Sequence, residues 1–265
     1  MKAKYSVAIA TYNGEKYIAE IIESILSQTN SVTELVISDD MSTDRTLEIV
    51  RKITDNRDLK IKILVNDERM GFAKNFEKAL QHCTEDWIFL ADQDDKWLEK
   101  KVEICDLTAA NTKKDLVIHD SIICDEGMRP VFGSSLERYR KLRLSILERN
   151  IGCCMLVRRR LIDACLPFPV NVSHDIFLGL VANKSKGREL IEDSLLYHRR
   201  HNEATSCYLP DSTKEITLSR KVFFRLRINL GENRILLAVR SPKKFVRMVH
   251  LDHEVTRCAR IVIES

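Results

Sequence analysis

Trp87-Ile88-Phe89-Leu90-Ala91-Asp92-Gln93-Asp94-Asp95-Lys96-Trp97 is a short apolar run that ends in three carboxylates within four positions. The run is rich in aromatic and branched residues and reads as a buried strand. Open α/β sheets bind ligands at the carboxyl ends of their strands, which is where these acids fall. Three negative charges this close repel, and the simplest group to hold them together is a hard divalent cation, Mg2+ or Mn2+. The same residues also read as an acidic turn opening the next helix, because Asp favours N-caps.

A second acidic strand end lies upstream, in Glu34-Leu35-Val36-Ile37-Ser38-Asp39-Asp40-Met41-Ser42-Thr43-Asp44. Before it, Val7-Ala8-Ile9-Ala10-Thr11-Tyr12-Asn13-Gly14 is another strand running into a polar loop. Ile18, Ile21, Ile22, Ile25 and Leu26 then recur at helical spacing. Polar strand ends separated by amphipathic helices describe a mainly parallel sheet with one functional edge. One site explains them better than three unrelated turns.

Continuing along the chain, the pattern predicts strands over 5–10, 33–39, 61–65, 87–91 and 116–124. Helices are expected over 17–28, 44–57, 72–83 and 96–110. Asp125-Glu126-Gly127 reads as a turn. A strand over 151–157, a short helix over 159–166 and a break at Pro167-Phe168-Pro169 follow. Ser173 caps a helix reaching 183, and 189–197 is a strand. From residue 219 onward the pattern reads as helical, with a boundary near 207–215.

The 265 residues and 44% hydrophobic content suffice for one large α/β domain and an appendage. Eight cysteines form no Cys-x-x-Cys pair and read as buried, reduced thiols of a cytoplasmic protein. No signal peptide is visible, and no apolar run approaches the roughly 18–20 residues that span a bilayer. Residues 1–137 carry 18 Lys/Arg against 26 Asp/Glu, and residues 138–265 carry 25 against 13. The basic half would face an acceptor and an anionic surface. Nucleic acid is not an expected partner, since no nucleic-acid motif accompanies the charge.

Ala10-Thr11-Tyr12-Asn13-Gly14, Ser38-Asp39-Asp40-Met41-Ser42-Thr43-Asp44, the segment from Asn66 to Asn75, and Asp92-Gln93-Asp94-Asp95 resemble, in order and separation, the signatures of family 2 glycosyltransferases. The resemblance covers residues 4–205. With His174-Asp175 and Tyr197-His198-Arg199-Arg200-His201 downstream, the chain looks most like the bacterial rhamnosyltransferase-like branch. It implies a GT-A fold, with 1–210 as catalytic domain (1–115 the nucleotide half, 116–210 the acceptor half) and 211–265 as a helical, basic C-terminal extension.

The resemblance also implies roles. Asp94 would be the metal ligand, with Asp92 facing the ribose and the metal and His201 supplying an imidazole ligand or a phosphate contact. Asp40 would accept the N3–H of a uracil-type base, beside Thr11, Tyr12 and Asn13. Tyr12 stacks on the base or is merely an exposed loop residue. Gly71 lets backbone approach the nucleotide, and Lys74 and Asn75 reach it. Arg199 and Arg200 would stabilise the diphosphate, unless the segment is a solvated basic turn. Asp175 would be the general base, although a helix start also favours a carboxylate. His174 there replaces the family's usual Glu and reads as an acceptor contact or a packed histidine. Gly152-Cys153-Cys154-Met155 resembles the small-residue segment on the acceptor side. Asp39 reads as structural, Asp44 as an N-cap, and His198 as turned away from the site.

The implied activity is transfer of a sugar, rhamnose from TDP-rhamnose in the finer resemblance, from a nucleotide donor to a lipid-linked surface polysaccharide. A nucleotidyltransferase shares the acidic α/β site but usually carries an early basic, Gly-rich loop. A catalytically silent binding or assembly protein would not need Asp92, Asp94 and Asp175 together. Residues 219–248 contain nine Lys/Arg and one Glu among many apolar residues. They suit an inner membrane surface, or they pack the tail onto the catalytic domain.

Overall fold

Val7, Ala8 and Ile9 all lie without solvent exposure in strand β1 (Tyr5–Thr11). Successive side chains are buried together only in a strand covered on both faces. The computed structural model describes residues 4–141, 150–170, 172–201, 224–230, 233–239 and 242–264. Strands β2 (Glu34–Asp39) and β3 (Lys60–Val65) extend the sheet on one side of β1, and β4 (Trp87–Asp92) joins the other, all parallel. Helices α1 (Ile18–Leu26), α2 (Thr46–Thr54) and α3 (Phe72–His82) make the crossovers. The expected apolar stripe of α1 is buried. Thr11 pairs with Asp39 and Ala10 with Asp92, so three polar strand ends share one edge.

The second half contains β5 (Lys96–Trp97), α4 (Lys101–Asn111), β6 (Leu116–Cys124), β7 (Pro130–Ser134) and α5 (Ser135–Lys141). A single 3-10 turn (Gly152–Cys154), β8 (Met155–Arg158), α6 (Arg159–Cys165), α7 (His174–Lys184) and β9 (Arg188–Arg199) follow. Among the described residues nine strands form one sheet in the order β3-β2-β1-β4-β8-β6-β9-β5, with β7 beside β6. Strand β8 runs antiparallel to β4 and β6 and joins the two halves.

Several expectations shift. The helix anticipated over 96–110 starts at Lys101, because Lys96 and Trp97 first pair with Tyr197 and Leu196 of β9. Trp97 is buried against Phe89 at 5.2 Å. Tertiary pairing there overrides the local helical pattern. The strand anticipated from 151 begins at Met155, after the 3-10 turn closes with Cys154 N–H donating to the Ile151 carbonyl at 3.0 Å. Strand β7 and helix α5 were not anticipated.

The tail differs most. Its first described part is an antiparallel pair of β10 (Phe224–Leu230) and β11 (Asn233–Val239), and among the described residues of the tail α8 (Pro242–Glu264) is the helical part. The period-two alternation Phe224-Arg225-Leu226-Arg227-Ile228 explains the strand. Val255, Cys258, Ala259 and Val262 of α8 are buried in the same core as the sheet, and Lys184 of α7 binds Asp252 at 3.0 Å. This end of the tail therefore packs into the same core as the sheet. The boundary expected near 207–215 lies outside the described residues. No described helix is long and apolar enough to cross a membrane.

At the sheet edge away from the polar strand ends, the Glu34 carboxylate is fully buried. It pairs with Lys60 at 2.8 Å and accepts hydrogen bonds from Ser6 Oγ, Thr84 N–H and Thr84 Oγ1. Burial alone would raise its pKa, but Lys60, Ser6 and Thr84 together hold it below the usual glutamate range. Its stabilisation is therefore present above the unfolded-state pKa and is lost as pH falls through the lower folded-state value. Glu34→Ala should cost about 1–3 kcal/mol at neutral pH, because buried donors lose their acceptor. Urea denaturation at pH 7 and in the acid range checks this. A loss below about 0.5 kcal/mol, or one that grows with acidity, contradicts it.

Candidate functional site

A cavity of about 640 Å3 opens at the edge where β1, β2 and β4 end. Thr11, Tyr12, Asp40, Gly71, Asn75, Asp92, Asp94, Asp175, Arg199, Arg200 and His201 all line it. Of the site residues singled out in the sequence, Asn13 and Lys74 lie outside this lining. Asn13 has a positive φ of 44° and accepts Thr43 N–H through Oδ1 at 2.9 Å, which fixes the loop after β2. Lys74 pairs with Glu77 at 2.7 Å.

The nucleotide-side wall is a hydrogen-bonded frame. Asp39, fully buried, accepts Thr11 Oγ1 at 2.7 Å, Ser42 N–H at 2.8 Å and Ser42 Oγ at 2.6 Å, the structural role expected of it. Asn75 donates to the Thr11 and Ser38 carbonyls at 3.2 and 2.8 Å, which clamps α3 to the ends of β1 and β2. Asp44 accepts Thr46 N–H at 2.9 Å and caps α2, as expected.

Asp40 is more heavily engaged than the sequence suggested. Oδ1 accepts Met70 N–H at 2.7 Å and Asn66 Nδ2 at 2.9 Å, while Oδ2 accepts Gly71 N–H at 2.9 Å and Arg69 Nε at 3.2 Å. Burial opposes its charge, but these bonds win and hold its pKa below the usual aspartate range. Arg69 also lies over the Tyr12 ring, 3.3 Å from its centroid. A planar N–H donor thus already occupies the slot between Tyr12 and Asp40. Gly71, at φ 79°, opens α3 in a conformation that disfavours any other residue.

The floor is acidic. Burial, then the carboxylates of Asp94 and Asp175, push Asp92 up to about 7. Asp94 Oδ2 lies 2.8 Å from His201 Nε2. Asp95 is fully buried and accepts Arg199 N–H at 3.0 Å. Gln93 grips the opposite loop, accepting Tyr12 N–H at 2.9 Å and donating to its carbonyl at 3.0 Å. A Cβ on Gly14 would fall 2.4 Å from Gln93 Oε1, so this grip requires glycine there.

The two arginines part company. Arg199 is buried, donates to the Asp94 carbonyl at 2.7 Å, and binds the Glu126 carbonyl and the Glu20 carboxylate. It positions the acidic turn. Arg200 lines the cavity, with a guanidinium nitrogen 3.5 Å from His198 Nδ1. His198 was expected to face away, yet it too lines the cavity. Strand β9 ends at Arg199, so the alternation of an extended chain does not carry through to His201. Burial and the Arg200 charge push the His198 pKa down to about 4.

Asp175 lies in the first turn of α7 and accepts Ile176 N–H at 2.8 Å and Ser173 Oγ. His174 is packed against Phe76 at 4.4 Å, and burial lowers its pKa. Sequence reasoning missed Arg69, Gln93 and Lys101. Lys101 is fully buried in α4, donates to the Cys153 carbonyl at 2.9 Å and stands 3.9 Å over Trp97. No periodic or motif signal marks a lysine that turns inward.

The donor set fits a divalent cation. Asp94 Oδ2 and His201 Nε2 converge at the floor of the cavity, an oxygen and a nitrogen donor of the kind such a cation takes.

The family model described as Glycosyl transferase family 2 matches residues 6–166. WfgD of Escherichia coli, a UDP-Glc:alpha-D-GlcNAc-diphosphoundecaprenol beta-1,3-glucosyltransferase, is 29% identical over 178 residues, covering 66% of this chain and 68% of WfgD. The dTDP-rhamnosyl transferase RfbG of Shigella flexneri is 37% identical over 99 residues, 36% of this chain and only 34% of RfbG. Other relatives are matched over similarly short shares of their length. The mannosyltransferase PcManGT of Pyrobaculum calidifontis, solved with GDP-Man and Mn2+, aligns at TM-score 0.62 and 18% identity over 98% of this chain and 74% of that one. That likeness shows the GT-A fold. The family match spans more than half of the chain, and the chain belongs to glycosyl transferase family 2.

Proposed function

We propose that the protein is a divalent-cation-dependent, inverting glycosyltransferase that moves a sugar from a nucleoside-diphosphate donor to a hydroxyl of a lipid-linked surface polysaccharide. The observation that carries this reading is the convergence of Asp92, Asp94, His201 and Asp175 on one cavity. Its volume suits a small-molecule ligand. The name of WfgD, which acts on a diphosphoundecaprenol-linked sugar, supports the acceptor class. RfbG supports TDP-rhamnose as donor.

In this reading the base enters between Tyr12 and Asp40. A uracil- or thymine-type ring shares with the Arg69 guanidinium a flat face and an N–H donor, so it replaces the Arg69 contact, the longest of the four on Asp40. Asn75, Thr11 and Asn13 keep the wall in place, and Gly71 lets backbone approach. Asp94 and His201, with Asp92 beside them, would hold Mg2+ or Mn2+, which offsets charge on a leaving diphosphate. Arg200 adds positive charge to the cavity, while Arg199 and Lys74 act outside ligand contact. Asp175 takes the proton of the acceptor hydroxyl as its oxygen bonds to the anomeric carbon. The bond from that carbon to the diphosphate breaks, and its electron pair leaves with the diphosphate. With Asp175 as the base and the acids of the floor given to the cation, the hydroxyl displaces the diphosphate directly, which inverts configuration.

Incubation with a panel of nucleotide sugars and an acceptor tests the assignment. One donor should release nucleoside diphosphate only when Mg2+ or Mn2+ is present. Asp94→Ala should lose turnover by roughly 10²-fold or more, with an unchanged denaturation midpoint, since a strand-end carboxylate adds little to core packing. Turnover within about threefold of wild type at saturating Mn2+ contradicts the role of Asp94.

We propose further that residues 219–248, with nine Lys/Arg and one Glu, hold the enzyme at the anionic cytoplasmic face of a membrane. Each basic residue near such a surface contributes about 1 kcal/mol. The full chain should co-sediment with anionic vesicles at low salt, not with neutral ones, and Lys243→Glu with Lys244→Glu should weaken it. Equal binding to both vesicle types, or none at low salt, contradicts this.

A further inference from the structure

Behind the acidic floor lies a second set of ligand atoms. Asp92, Asp95, Cys153 and His198 each offer one, and all four lie within 4.8 Å of one another. They come from the end of β4, the acidic loop after it, the 3-10 turn and the end of β9. Asp95 and Cys153 have no solvent exposure, and His198 is 6% exposed. This set shares Asp92 with the donor-side ligands but contains neither Asp94 nor His201.

An independent observation points inward. Asp95 Oδ2 has no hydrogen-bond partner among the described residues, although Oδ1 takes the Arg199 amide. A fully buried carboxylate oxygen is costly to leave without a donor or a cation.

We propose that Asp92, Asp95, Cys153 and His198 form a second cation site, selective for a thiophilic divalent ion such as Zn2+. One sulfur, one imidazole nitrogen and two carboxylate oxygens are donors that zinc accepts in four-coordinate sites. Mg2+ is disfavoured there, because it prefers an all-oxygen shell and retains waters. On binding, the Cys153 S–H bond breaks, its proton passes to solvent, and the sulfur electron pair bonds to the metal. Asp92 then serves the inner ion rather than the donor-side one. On the functional reading above, zinc therefore antagonises the Mg2+- or Mn2+-supported reaction.

Cobalt titrated into the metal-free full chain tests the site directly. One Co2+ per chain should give a thiolate-to-cobalt charge-transfer band in the near ultraviolet, and Zn2+ should displace it. The donor-side set of Asp94 and His201 holds no sulfur and cannot produce that band, so the result is independent of whether the sugar-transfer reading stands. Cys153→Ser should abolish the band, Asp94→Ala should keep it, and Asp95→Asn should weaken cobalt binding by about tenfold or more. Absence of the band in the wild-type chain overturns the proposal without recourse to any variant. A band that survives Cys153→Ser overturns it as well.

Discussion

The fold at this edge depends on holding Asp92, Asp94 and Asp95 together at the end of one strand. Two unit charges about 5 Å apart repel by about 3 kcal/mol at an effective dielectric constant of about 20. Close by in sequence, Lys96 is paired with Glu20 and Lys101 is turned inward onto the Cys153 carbonyl. The restraint arrives from about a hundred residues away. Arg199 grips the Asp94 carbonyl and gives its own amide to Asp95, and His201 meets the Asp94 carboxylate. The acidic turn is thus completed by β9, and the two halves of the chain form one site because neither half balances its charge alone.

That arrangement divides labour among residues that look equivalent in sequence. Arg199 and Arg200 are neighbours and both border the cavity, yet Arg199 is buried and tied to Asp94, Glu126 and Glu20, whereas Arg200 reaches His198. Asp39 and Asp40 are neighbours as well. Asp39 fastens the β1 and β2 loops, whereas Asp40 gathers the loop from Asn66 to Gly71 and presents a carboxylate beside Tyr12. On the far side, Asp175 sits close enough to Asp92 to raise its pKa. The cavity therefore has an acidic floor with a separate carboxylate facing the same space.

The parallel half of the sheet was legible because burial on both faces leaves unbroken apolar runs, as in Val7-Ala8-Ile9 and Trp87-Ile88-Phe89-Leu90. Strand β6 was legible from the apolar residues Leu116-Val117-Ile118 and Ile122-Ile123 at its two ends, although His119, Asp120 and Ser121 interrupt the run. The second half was harder. Lys96-Trp97 is a strand only because β9 pairs with it, and the 3-10 turn opens at Gly152, where a Cβ would lie 3.1 Å from His174 Nε2. The antiparallel pair of β10 and β11 has a two-residue alternation that a helical reading of its basic residues obscured. In the site, residue type identified the carboxylates and His201, but it could not say which arginine would be spent on the fold. His198 was misplaced because its face was judged from an extended chain running through His201, whereas β9 ends at Arg199.

The central claim is that the floor binds the donor while Asp175, across the cavity, performs the proton transfer. Asp175→Asn separates the two, since it keeps the side-chain size and removes the base. Donor affinity by calorimetry should match wild type, while turnover falls by roughly 10²–10⁴-fold. Loss of donor binding, or turnover close to wild type, would contradict the account.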